Sequence, residues 1–198
     1  MPGRTPLVIG LILLGLIAPA AATAAPPFTY GVAAGDVKSS SAILWTRADT
    51  AGPILLKLSR DPDRVSCTAG TPPAGGAGVV RRSLVAAAPT DNTVRTTVRR
   101  LRAGTRYAYR FCRDATGSRL GRFRTAPAPG DDTQVDFAIT GDADGTIDPA
   151  TGRPAYNNFE VYREMAGNGN DFNVNLGDIM YSDTAVAGVP PALTLAEK

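Results

Sequence analysis

Short apolar runs separated by Gly, Pro and Asp recur between residues 28 and 126. Ser41–Arg47, Ile54–Leu58 and Val79–Val85 are strand-length runs of this kind. In Thr93–Leu101, Val94, Thr96 and Val98 alternate with Arg95, Thr97 and Arg99. In Tyr107–Cys112, Tyr107, Tyr109 and Phe111 alternate with Ala108, Arg110 and Cys112. A period of two turns one face of a strand inward and the other outward. Several such runs at short intervals, with no helical period among them, predict a small all-β sandwich.

The segment Leu101-Arg102-Ala103-Gly104-Thr105-Arg106-Tyr107 narrows that sandwich. A Leu at a strand end, a Gly turn and a Tyr opening the next strand resemble the tyrosine corner of immunoglobulin-like and fibronectin type III domains, in which the hydroxyl bonds to backbone a few residues upstream. The sole tryptophan, Trp45, is then expected in the core of an early strand.

After residues 127–132, a Pro/Gly-containing linker, the pattern changes. Val135–Thr140 reads as a strand ending at Gly141-Asp142. Tyr156–Ala166 reads as a helix, with Phe159, Tyr162, Met165 and Ala166 on one face and Asn157, Glu160 and Glu164 on the other. Phe172–Leu176 reads as a second strand, ending at Gly177-Asp178. A strand-helix-strand crossover makes the two strands parallel and brings their carboxyl ends to one sheet edge, where ligands bind in open α/β sheets. Two aspartates delivered to that edge repel unless a cation lies between them. Tyr181, three residues after Asp178, is close enough to join them. Oxygen ligands of this kind suit iron, manganese, calcium or magnesium.

Composition removes some chemistry and divides the chain. The 198 residues include no histidine, which excludes a Ser-His-Asp triad, a Cys-His pair and any His-based zinc site from these residues alone. Pro26–Ala126 holds 17 Lys and Arg against 6 acidic residues, whereas residues 127–198 hold 3 against 12. A basic unit followed by an acidic one suggests two units with different roles, the basic surface being either a solvated face or one that attracts polyanions. Met1–Arg4, the apolar run Leu7–Ala18 and the small-residue tract around Ala22-Thr23-Ala24 form a secretory signal peptide over residues 1–24. The run is short for a membrane anchor, no twin-arginine pair is present, and no later segment is long enough to span a bilayer. The expected location is therefore extracytoplasmic. In an oxidising compartment Cys67 and Cys112 form a disulfide, the alternative being two buried free thiols.

The blocks Phe28–Asp36, Ala42–Arg47, Gly121–Pro127 and Leu176–Tyr181 together resemble the PhoD-like alkaline phosphatases. That resemblance implies a multi-domain β plus α/β protein. A β-sandwich over residues 25–126 precedes the first β-α-β unit of a calcineurin-like metallophosphatase domain over 133–198. It implies a secreted phosphoesterase that acts on phosphate esters by attack of metal-bound hydroxide, with two metal ions, Fe3+ and Ca2+. By position, Asp142 is a terminal metal ligand, Asp178 bridges both metals and Tyr181 coordinates the ferric ion. No specific nucleic-acid reader is implied. Two departures stand out. Asn175 occupies a place where the family often has His, and the family's Asn and His ligands fall beyond residue 198. The chain is thus expected to be an incomplete, inactive N-terminal portion of a longer enzyme.

Three other readings fit parts of the sequence. Asp142-Ala143-Asp144-Gly145-Thr146 also matches the first motif of haloacid dehalogenase-type phosphatases, with Asp142 as nucleophile and Asp144 as general acid. Asp142, Asp144 and Asp148 are spaced for a structural calcium loop. A secreted, non-catalytic β-sandwich binding module is the reading without an enzyme.

Overall fold

The computed structural model describes residues 27–68 and 78–194. The expected signal peptide, 1–24, lies outside them. The first antiparallel sheet comprises β1 (Val32–Gly35), β2 (Ser41–Arg47) and β5 (Thr93–Arg99), in the order β1-β2-β5. The second comprises β3 (Gly52–Ser59), β4 (Val79–Ala86), β6 (Arg106–Arg113), β7 (Thr116–Gly117) and β8 (Gly121–Arg124). Its order is β4-β3-β6, with β7 and β8 both pairing β6.

The core lies between the two sheets. Ala42 and Leu44 of β2 and Val94 and Val98 of β5 meet Ile54, Leu56 and Leu58 of β3 and Tyr107, Tyr109 and Phe111 of β6. Each of the large apolar side chains stabilises the fold by about 1.5–3 kcal/mol through burial. Tyr107 stacks on Phe123 at 5.6 Å, and Tyr109 meets Phe111 edge-on at 6.1 Å. The tyrosine corner closes as expected: the Arg102 N–H donates to the Tyr107 hydroxyl at 2.9 Å.

Two expectations for the sandwich need correction. Trp45 is only half-buried and lies outside the core, because the alternation of β2 turns Ala42, Leu44 and Thr46 inward and leaves Trp45 with Ile43 on the other face. The outward residues Ala108 and Cys112 of β6 are buried as well. The cause is the Cys67–Cys112 disulfide, which straps the segment Pro62–Thr68 over the outer face of the second sheet. Beneath that strap Val65 is fully buried, and the Lys57 ammonium donates to the Ser66 carbonyl.

The acidic part contains β9 (Phe137–Thr140), the hairpin β10 (Ile147–Asp148) and β11 (Arg153–Pro154), helix α1 (Glu160–Gly167) and β12 (Phe172–Asn175). β9 and β12 are parallel, with Phe137 opposite Phe172 and Thr140 opposite Asn175. Helix α1 starts later than the sequence pattern indicates. Phe159 adopts φ 59° at its N-cap, and Asn157 is tied back to the loop before it, so residues 156–159 do not join the helix. Met165 is the buried residue of α1, whereas Ala166 is exposed. Arg124 at the end of β8 pairs with Asp171 before β12 at 3.1 Å, joining the sandwich to the parallel pair. No helix among the described residues is long and apolar enough to cross a membrane.

Candidate metal centre

The parallel pair brings two strand ends together. The ladder continues past β12, where the Leu176 N–H donates to the Thr140 carbonyl at 2.8 Å. Each strand then turns at Gly-Asp. Asp142 has φ 47° and Asp178 has φ 52°, both in the left-handed region that Asp tolerates better than most residues. Gly177, at φ 122°, occupies backbone space that suits only glycine. The two turns are fastened directly, since the Ala143 N–H donates to the Asp178 carbonyl at 2.7 Å.

Tyr181 returns to this edge. Its hydroxyl lies against Asp142 Oδ1 in a short hydrogen bond and sits 3.0 Å from Asp178 Oδ2. The three residues singled out by the sequence therefore meet, and one phenol proton lies between two carboxylates. The hydrogen bond to Asp142, partial desolvation and the hydrogen bond to Asp178 all favour the neutral phenol and push its pKa well above the ordinary tyrosine value.

A hard cation fits this donor set. It would replace the proton shared by the two carboxylates, and two carboxylates with a phenolate are oxygen ligands suited to iron, calcium or manganese. Histidine supplies none of the ligands, since the chain has none. Among the described residues no group of three or more His, Cys, Asp or Glu is arranged to hold a metal. The two carboxylates depend on Tyr181 for a third donor.

Asp144 is close in sequence but has a different role. Its buried carboxylate accepts from the Thr146 hydroxyl at 2.6 Å and the Thr146 N–H at 2.9 Å. These two bonds, helped by Thr184, hold its pKa below the ordinary range despite desolvation. Asp148 closes its own turn, accepting from the Ala150 N–H and the Thr151 hydroxyl. Asp142, Asp144 and Asp148 thus do not assemble into the calcium loop that their spacing suggests.

Asn157 was not expected here, because the helical pattern assigns it to a solvent face. Its amide donates to the carbonyls of Asp142 and Asp144 at 3.1 and 3.0 Å, fixing the loop that carries Asp142. An open cleft of about 620 Å3 lies against Asp142 and Tyr181, with Tyr156, Asn157 and Asp183 along its walls.

A β-sandwich joined to a parallel strand pair, with an oxygen-rich edge at the strands' carboxyl ends, defines the class. The model of the PhoD-like phosphatase N-terminal domain matches residues 15–127, and the chain belongs to that family. Among solved structures, PhoD is 25% identical with a TM-score of 0.61, the match covering 82% of this chain and 30% of that one. The chain therefore spans less than a third of that PhoD chain. Two more distant likenesses have a TM-score of 0.35 and 15% identity. One is the sensor domain of the anti-sigma factor RsgI4 of Pseudobacteroides cellulosolvens, covering 50% of this chain and 93% of that one. The other is the fn3 domain of human collagen α-1(XX), covering 59% and 95%. No curated relative matches the chain.

Proposed function

We propose that this chain carries the N-terminal sandwich and the first metal ligands of a secreted, metal-dependent phosphoesterase of the PhoD-like type. The observation that carries the reading is the hydrogen bonding of one phenol to two carboxylates at adjacent parallel strand ends, in a chain of a phosphatase family. Asp142, Asp178 and Tyr181 would hold the cation, and Asp178, in the turn after the second strand, would also serve a second one. Cations bound there would activate water and neutralise charge on the phosphoryl oxygens of a phosphate ester. Asn157 keeps the Asp142 carboxylate at the sheet edge, and Asp144 supports the same loop through Thr146 and Thr184. Export by residues 1–24 is supported by their charged, apolar and small-residue order and by the disulfide, a bond that persists in oxidising compartments.

The same reading makes the 198 residues inactive by themselves, because three oxygen donors from the described residues do not complete a two-metal site. The haloacid dehalogenase alternative is disfavoured by Asp144. A carboxyl held below its ordinary pKa is a poor general acid. The test is ferric ion added to the full chain. Wild type is expected to develop visible phenolate-to-iron absorbance that Tyr181→Phe and Asp178→Asn lose, with no hydrolysis of p-nitrophenyl phosphate above background. Absence of iron uptake by the wild type would overturn the metal assignment. Enzyme-like turnover would overturn the claim of inactivity.

A further inference from the structure

The basic half of the chain plays no part in the carboxylate-phenol edge, yet its arginines gather at one place. The register of β6 and β8 sets Arg106 directly opposite Arg124 and Ala108 opposite Arg122, so three guanidiniums leave the same outer sheet face. Like charges directly opposite on neighbouring strands destabilise a sheet. Arg60, just past β3, adds a fourth. All four line one cleft of about 390 Å3 between the sandwich and α1, with Ala108 and Met165 among its apolar lining. Asp171 is the single carboxylate lining that cleft, and it is engaged by Arg124 at 3.1 Å. Arg60, Arg106 and Arg122 form no ion pair among the described residues. Four cations against one anion leave a local charge of +3 in a recess walled partly by apolar side chains.

We propose that this cleft is an anion site for a ligand carrying two or more phosphoryl groups, such as a linear polyphosphate chain. A planar guanidinium presents paired donors that match phosphate oxygens, and it keeps its charge at any physiological pH. Three guanidiniums in no ion pair, with a local charge of +3, suit the several negative charges of adjacent phosphoryl groups better than the one or two of a single group. The cleft lies at the amino ends of β9 and β12, because Asp171 precedes β12 and bonds to Asp136 ahead of β9. The carboxylate-phenol edge is at their carboxyl ends, about 13 Å away at ~3.3 Å per residue. The two sites are therefore separate, and this one does not depend on a bound metal.

The test is calorimetric titration of the full chain with inorganic tripolyphosphate in chelator-treated, metal-free buffer. A single binding event is expected, weakened at least tenfold by Arg106→Gln with Arg122→Gln and weakened again by added salt. Both side chains are exposed, and an unchanged circular dichroism spectrum of the double variant confirms its fold. Arg95→Gln, on the opposite sheet, and Asp178→Asn, at the other edge, are expected to bind as the wild type does. Absence of binding, retention of affinity in the double variant, or an equal loss in Arg95→Gln would overturn the proposal. Loss of binding in Asp178→Asn would assign the anion to the other edge, and that also overturns it. Retained tripolyphosphate binding in a chain that takes up no iron would reject the metal reading and leave this one standing.

Discussion

The strap across the second sheet makes the disulfide the most informative single perturbation. Cys67 and Cys112 are 45 residues apart in sequence, with Cα atoms 5.5 Å apart. In the chain-entropy model, closing a loop of that length restricts the unfolded chain by about 4 kcal/mol at 25 °C. A domain's whole stability is about 5–15 kcal/mol, so this one bond is a large share of it. Cys67→Ala with Cys112→Ala removes the bond without adding a polar group beneath the strap. Release of Pro62–Thr68 would also expose Val65, now fully buried, and part the Lys57 ammonium from the Ser66 carbonyl. Burial lowers the Lys57 pKa, helped by the Arg81 charge, so rehydration of the ammonium partly offsets the loss. A net fall of about 4 kcal/mol is expected. With a urea m-value of about 2 kcal/mol/M, the unfolding midpoint drops by about 2 M. Trp45 fluorescence reads the sandwich directly, because the chain has no other tryptophan. A midpoint shift below about 0.3 M, or two free thiols by mass spectrometry in the protein purified without reductant, would refute the reasoning.

Gly121→Ala is expected to cost about 3 kcal/mol through overpacking, since its Cβ would lie 2.2 Å from Cζ of the buried Tyr109 ring. Gly35→Ala meets nothing within 4 Å and serves as the control in the same urea titration. Burial alone would raise the Asp171 pKa, but the Arg124 hydrogen bond, the Asp136 N–H and the Arg124 and Arg106 charges outweigh it and hold it below 3.8. The pair's contribution is therefore present above that value and fades as pH falls through the lower folded pKa, and the Asp171→Asn variant should lack this acid-side dependence.

The sandwich was legible because its signals are local. Strand alternation places Val94, Val98, Tyr107, Tyr109 and Phe111 inside, and the Gly turn before Tyr107 sets the corner. The errors arose where a distant segment acts on a strand. Ala108 and Cys112 look like outward positions until the disulfide lays the strap over them. Trp45 invites a core assignment by size, but the phase of β2 is set by Leu44 and by Thr46, whose hydroxyl donates to the Gly31 carbonyl. In the acidic part, apolar spacing suggests a helix from Tyr156, whereas Asn157 bonds back to a loop thirteen and fifteen residues earlier. No periodicity carries that contact. Asp142, Asp178 and Tyr181 were legible because a repeated Gly-Asp at two strand ends needs only the parallel crossover to bring them together.

Backbone strain alone does not mark the edge as a site. Among the described residues, eight non-glycine positions have positive φ, and Asp36, Asp91, Asn92 and Asp114 are ordinary residue types for left-handed turns. Asp142 and Asp178 differ in what their turns accomplish. Each follows a glycine at the end of one of two hydrogen-bonded parallel strands, so the ladder fixes the spacing of the two turns before any side chain is considered. The bond from Ala143 N–H to the Asp178 carbonyl then fixes their relative tilt. This explains how exposed carboxylates hold one phenol between them on a unit whose apolar residues Phe137, Ile139 and Leu176 are largely exposed. The arrangement is set by backbone hydrogen bonds, with little contribution from packing around it. A cation entering there would displace a proton already positioned, and the protein would need little rearrangement to receive it.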